Sequence, residues 1–297
     1  LSRWRRLIQS TFVAWSDHEA STQSAALAFY TIFSLAPLLV VAISLAGMVF
    51  GRAAVRGEIL AQFQDWMGHD AASLVQEILS SAARPQVNRL AGLVGIATLL
   101  FGASGVFVQL QQSLNRIWEV APKPGAAIST LLRKRVLSFA AVLAIGFLLL
   151  VSLLISAALS AVGDFLEKRF QLPVTRLHWA NILVSFLIVT LLFGLIYRVL
   201  PDVRLAWRDV LLGALVTSAL FGAGKTLIGL YLGHTGAASA YGAAGSLVVL
   251  TSWVYYSALI FLLGAEFTHV YTHDCRGRSP EPEAGAERAA PPPATLR

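Results

Sequence analysis

Long stretches without charge set the plan of this chain. No charged residue occurs from Ala20 to Gly51, from Leu90 to Asn115, from Val136 to Gly163 or from Leu177 to Tyr197. A fifth apolar block, Val210 to Gly224, meets Lys225 and then resumes uncharged from Thr226 to Ala265. About 20 mainly apolar residues cross the roughly 30 Å of a bilayer's hydrocarbon. The glycine-rich run from Gly233 to Gly245 divides the last block in two. The pattern therefore predicts six transmembrane helices, near 27–50, 90–114, 136–162, 179–199, 209–232 and 245–270. Buried helices of a soluble protein rarely run this long without charge, and six in succession argue against that reading. The first block is too long for a cleaved signal peptide, and five more follow it.

The segments between and around the spans predict further elements. RWRRLIQSTFVAW near the start groups its arginines and spaces its aromatics by about a turn, the pattern of an amphipathic helix lying in the membrane interface. In 53–84, Ile59, Phe63, Trp66 and Met67, then Leu74, Val75, Ile78 and Leu79, recur at helical spacing on either side of Gly68-His69-Asp70. This predicts two short amphipathic helices on the outer side, too polar to span. Residues 276–297, rich in Pro, Glu, Ala and Arg, are expected to be a disordered cytoplasmic tail. The expected fold class is all-α: a polytopic six-helix membrane domain over residues 1–275, followed by that tail.

Composition agrees, with 56% hydrophobic and 13% charged residues. Charge then sets orientation. With the N-terminus in the cytoplasm, thirteen Lys and Arg residues fall on the cytoplasmic side and seven on the other, those seven sharing their loops with six acids. The positive-inside rule thus predicts both termini in the cytoplasm. Basic loops facing anionic lipid account for the net charge of +7 without nucleic acid as a partner. Trp15, Trp118, Trp179 and Trp207 fall at predicted helix ends, where indole prefers to sit. A single cysteine, Cys275, rules out an internal disulfide.

Two helix faces carry the candidate chemistry. The second span has a stripe spaced alternately by four and three: Ala91, Gly95, Thr98, Gly102, Gly105, Gln109, Gln112 and Arg116. Such a stripe makes either a tight helix–helix seam or a polar groove opening past Gln109 and Gln112. The fifth span has Ala214, Ser218, Gly222, Lys225, Gly229 and Gly233 on one face. An ammonium inside a membrane costs at least a few kcal/mol, on the order of the insertion scales, unless it is paired or wet. Lys225 either snorkels to the outer surface or meets a lined cavity, an acid or an anionic headgroup. Glu266, the one acid expected within a span, lies near the cytoplasmic end of the sixth helix, too far along for a good pair with Lys225.

Other motifs fail. GAGKT at 222–226 lacks the first glycine of a P-loop, that position being Ala219, so no nucleotide is expected as a partner. Glu266, His269 and His273 share a face, but no second cluster supplies the remaining ligands for a metal. No nucleophile set is visible. The expectation is a non-enzyme with no metal and no cofactor. Trp253, Tyr255 and Tyr256 in the sixth span, with Tyr241 before it, either pack or line an aromatic entrance.

QSAALAFYTIFSLAPLL (23–39), LQQSLNRIW (110–118), LPDVRLAWRDVLLGAL (200–215) and YGAAGSLVVLTSWVYYSALIFLLGAE (241–266), in that order, resemble the YihY/BrkB family of bacterial inner-membrane proteins over roughly 15–272. The resemblance implies a six-helix domain in the bacterial inner membrane and a role at the cell envelope, with lipid or lipopolysaccharide-precursor handling among the proposals. Members once carried a ribonuclease label, but this chain has no His-x-His-x-Asp-His cluster to support it. The positions it carries over are Ser34, Pro37, Asn115, Pro201, Gly213, Tyr241, Gly242 and Glu266. Pro37 removes a helix hydrogen bond and kinks the first span, freeing a carbonyl near Ser34 and Tyr30.

The leading functional expectation is a transporter or flippase-like protein for an amphipathic, anionic lipid or envelope precursor. Lys225, Gln109, Gln112, Tyr30, Ser34, Tyr241 and Glu266 are its candidate binding residues, with Pro37 as a structural kink. Anionic membrane lipids are the expected partners, and a homo-oligomer is open. The alternative is a non-transporting scaffold that uses its stripes for assembly.

Overall fold

The computed structural model describes residues 2–67, 69–82, 105–122, 175–234, 244–275 and 286–288. These are helical almost throughout. Helix α1 spans Ser2–Asp17, α2 spans Ala20–Phe50, α3 spans Arg52–Met67 and α4 spans His69–Ala82. Residues 105–117, here α5, are helical. Helix α6 covers Thr175–Val199, α7 covers Trp207–His234, and α8 covers Gly245–Val270 before widening into a π-helical turn, Tyr271–Cys275.

The first, fourth, fifth and sixth expected spans are therefore α2, α6, α7 and α8. Of the second, the described part is α5; the third, 136–162, lies outside the described residues. Among the described residues, Ile182–Val199, Trp207–Ile228 and Gly245–His273 are long and apolar enough to cross a membrane. Their outward faces agree: Leu183, Leu187, Leu191, Leu211, Leu215 and Leu227 are exposed. Water penalises so large a bare apolar surface, and hydrocarbon does not.

Helix α2 is uncharged and 31 residues long, about 46 Å at 1.5 Å per residue. It runs through Pro37 as one helix. At its end Gly51 takes φ 86, a left-handed turn that glycine makes without strain, and donates its N–H back to the Gly47 carbonyl. The chain reverses there. Val55 and Ile59 of α3 then bury against Leu39 and Ile43 in the far half of α2. Helix α4 folds back on α3 and also touches α2 and α8, so α3 and α4 form the expected helix pair.

Helices α6, α7, α8 and α2 pack in a row, α7 against α6 and α8, and α8 against α2. At one end, called here the terminal face, the start of α2 meets the ends of α5, α6 and α8 and the start of α7. Ala20, Leu114, Ile117, Trp118, Tyr197, Leu200, Val210, Leu262 and Ala265 form one buried cluster there.

Close helix approach at this end depends on glycine. A Cβ at Gly213 would strike the Thr268 hydroxyl, and one at Gly264 would strike Thr217 and come within 2.7 Å of the Tyr197 hydroxyl. Small residues on α7 and α8 thus admit threonine and tyrosine side chains between the backbones. Tyr197 donates to the Phe261 carbonyl at 2.7 Å. The Thr217 hydroxyl lies 3.0 Å from Tyr197 Oη and 2.7 Å from the Gly213 carbonyl, and shares its one proton between them.

Helix α1 lies across α8. Its buried side holds Leu7 and Thr11, while Trp4, Ile8 and Phe12 form an exposed apolar stripe beside exposed Arg5 and Arg6. That is the expected amphipathic helix.

One element departs from expectation. Ala286–Arg288, within the tail expected to be disordered, pairs antiparallel with Val120–Pro122 just after α5. A free strand edge satisfies its N–H and C=O groups by recruiting a second strand, and no composition rule for the tail reveals that.

Candidate functional site

At the terminal face, His18 occupies the turn between α1 and α2, and the following Glu19 takes a left-handed φ of 53. A non-glycine residue there costs roughly 1 kcal/mol, which the fold offsets to make a sharp corner. His18 Nδ1 lies 2.8 Å from Glu266 Oε1 on α8. Glu266 is fully buried and His18 is partly buried. The second carboxylate oxygen, Oε2, has no hydrogen-bond partner among the described residues. The hydrogen bond to Glu266 raises the His18 pKa above its ordinary value, against the opposing effect of burial.

His18 also forms the wall of an open cleft of about 500 Å³, whose other polar lining includes Asp17, Glu119, His269 and His273. The His269 ring meets His273 edge-on at 4.7 Å and lies 5.1 Å from Trp118. Among the described residues no three His, Cys, Asp or Glu side chains converge to hold a metal ion.

Beside it, Asn115 and Asp202 form a reciprocal buried pair. The Asn115 amide donates to Asp202 Oδ2 at 3.0 Å, and the Asp202 backbone N–H donates to Asn115 Oδ1 at 2.8 Å. Gln111 adds a longer bond to the same carboxylate at 3.3 Å. This staples the end of α5 to the loop between α6 and α7. Arg198 stacks over Trp207 at 4.5 Å in the same region.

The α5 stripe closes on α2. A Cβ at Gly105 would come within 3.0 Å of the Tyr30 ring. Gln109 donates to Gln23 at 2.8 Å, Ser113 donates to the same oxygen at 3.1 Å, and Arg116 pairs with Glu19 at 2.8 Å in the open. Gln112 points outward and is exposed. The seam, one of the two forms expected of this stripe, is the one observed over its described part.

The other half of α7 is different. Lys225 is partly buried, in a stretch where Gly222, Ala223, Thr226 and Leu227 are exposed. Ala214 and Ser218, on its face, are buried, and the Ser218 hydroxyl has no hydrogen-bond partner among the described residues. On the opposite side of α7 an apolar groove of about 300 Å³ runs between α1, α7 and α8, walled by Phe12, Trp15, Leu220, Leu227, Tyr256 and Leu263. Trp253 is buried and meets Phe221 edge-on at 6.0 Å, which is packing. GAGKT lies inside the continuous helix α7, far from the strand-to-helix turn of a phosphate loop.

The candidate residues thus fall in separate places. Tyr30 and Gln109 belong to the α2–α5 seam. Ser34 is buried in α2 with its hydroxyl donated to the Thr31 carbonyl at 3.1 Å. Glu266 stands at the cleft and Lys225 in the far half of α7. Tyr241 lies outside the described residues. Sequence reading missed His18 as the partner of Glu266, Asp202 as the partner of Asn115, and the Tyr197–Thr217 contact. Asn115 stands out in the sequence only through the family resemblance, Glu266 also as the one acid expected within a span.

A family model described as virulence factor BrkB matches residues 11–289. A UPF0761 membrane protein of Verminephrobacter eiseniae is 29% identical over 262 residues, covering 85% of this chain and 58% of the relative. One from Legionella pneumophila is 30% identical over 261 residues, covering 86% and 59%. A Bacillus subtilis protein, described as ribonuclease-like protein YfkH, is 27% identical over 268 residues, covering 87% and 92%. The chain thus spans under two thirds of the Verminephrobacter and Legionella relatives. No solved structure matches.

Proposed function

The chain belongs to the BrkB family of multi-pass membrane proteins, and on that premise we propose an inner-membrane transporter of flippase-like kind, handling an amphipathic, anionic lipid or envelope precursor. The observation that carries this reading is the face of α7 where partly buried Lys225 follows, two turns on, the buried Ser218 hydroxyl, which has no hydrogen-bond partner among the described residues. A positive charge on that face attracts an anion, and the Ser218 hydroxyl, with no hydrogen-bond partner among the described residues, has a hydrogen bond to give. A phosphate or carboxylate headgroup would accept from Ser218 and lie on the face that carries the Lys225 charge. The apolar groove on the other side of α7 offers room for a chain. With both termini in the cytoplasm, the exposed Arg5 and Arg6 of α1 would face the anionic inner leaflet. Carriage of this kind needs neither catalysis nor a cofactor.

The test is a native mass spectrum of the protein released from mild detergent. A retained anionic lipid or glycolipid that survives Lys225→Arg and is lost in Lys225→Ala supports the reading and names the cargo class. Equal adducts in all three proteins would remove Lys225 from the site.

A second reading, a non-transporting scaffold, is favoured by the closure of the α5 stripe onto α2 instead of a groove. Water access separates the two. A cysteine at Gly222, in a Cys275→Ser background, reacts with a small polar thiol reagent if the face is wet and stays inert in a dry seam.

A further inference from the structure

The terminal face holds a group apart from the Lys225 face of α7: the buried Glu266 carboxyl, hydrogen-bonded to a histidine that borders an open cleft. Glu266 is fully buried, with Oε1 2.8 Å from His18 Nδ1 and Oε2 without a partner among the described residues. A buried carboxylate with one oxygen unsatisfied is stable only if a proton resides on the pair, as imidazolium–carboxylate or as imidazole–carboxylic acid. His18 is the cleft-side member, and the cleft of about 500 Å³ gives it access to water.

We propose that His18 and Glu266 form a proton-binding site, loaded from the cleft, whose shared proton latches the α1–α2 corner onto α8. Loading is simple: a proton from water in the cleft binds the imidazole and is shared with Oε1, and unloading returns it by the same route. Loss of the proton leaves a bare buried anion, and the corner opens to let water reach it. The surrounding charges tune the affinity for the proton. Asp17 of α1 and Glu119 after α5 favour it, Arg116 of α5 opposes it, and His269 and His273 on the α8 side would oppose it when charged. The corner is the joint of the interfacial helix. A proton at this site therefore controls how firmly α1 is held to the bundle.

The site is independent of the cargo, and so is its test. The full chain in lipid nanodiscs is examined by pH-difference infrared spectroscopy. The expected result is a carboxyl band, of the acid where the proton rests on Oε1 or of the carboxylate where it rests on His18, that responds to the titration and is absent in Glu266→Gln. In His18→Gln its midpoint moves. Should Glu266→Gln fail to assemble, Glu266→Asp moves the band and serves instead. A spin label at Ser10→Cys in a Cys275→Ser background reports the latch: its mobility rises with pH when Glu266 is present and stays flat in Glu266→Gln. A carboxyl band insensitive to both Glu266 variants, or label mobility with the same pH dependence in Glu266→Gln, overturns the proposal. Neither measurement involves transport, so failure here leaves the cargo reading to its own test, and the reverse holds.

Discussion

The two halves of α7 are built on opposite principles. From Val210 to Ser218 the helix is locked: Gly213 receives Thr268, Thr217 reaches Tyr197, and the flanking loop is stapled through Asp202 and Asn115. From Ala219 to Leu227 most side chains are exposed, Gly222 meets nothing within 4 Å, and Lys225 stands partly buried among small neighbours. Glycine serves contact at Gly213 and openness at Gly222, while Gly224 still packs against Ile260 and Tyr256 of α8. The contrast separates where the bundle keeps its shape from where it has room for something else.

The comparison can be broken by substitution. Adding a methyl group at Gly264, against Tyr197 and Thr217, should cost about 3 kcal/mol as overpacking, read as a fall in the thermal midpoint in detergent. Asn115→Ala removes one of the side-chain partners of Asp202 and should cost about 2 kcal/mol. A loss near zero in either would deny the locked half its role. The pH test has a defined sign. Because the folded pKa of His18 is raised, its stabilisation is fully present below its ordinary value of 6.5 and is lost as pH rises through the raised one. The midpoint of the native protein should therefore exceed that of His18→Gln most at acidic pH, and the gap should narrow in alkali. Lys225→Ala should remove the anionic adduct seen by native mass spectrometry. Gly222→Ala should change stability by less than about 1 kcal/mol; a large loss there would show that the open half is packed after all.

Much of this architecture was readable from spacing. The uncharged blocks located α2, α6, α7 and α8, because span length follows from bilayer thickness and helical rise. The alternation of four and three at Gly105, Gln109 and Arg116 placed those residues on one face, and all three lie against α2 or its leading corner. Pairing across the fold was not readable. His18 and Glu266 are 248 positions apart, and Asn115 and Asp202 are 87 apart; helical periodicity fixes faces, not the partners that faces find. The face of α7 chosen for its small residues, through Ser218 and Gly222, also differs from the one that admits α8, through Gly213 and Gly224. Both faces are rich in small side chains, and composition alone could not tell contact from vacancy.

The 31 residues of α2 are more than a bilayer's hydrocarbon requires. Crossing a bilayer would oblige such a helix to lean or to stand proud of the lipid, and α3 is braced along its far half. A thicker bilayer would draw α2 upright and a thinner one would tilt it. Each change would swing the α3–α4 pair over the end of the bundle where α8 begins. On that premise lipid chain length would bear on the set of α3 and α4 without any single lipid being bound.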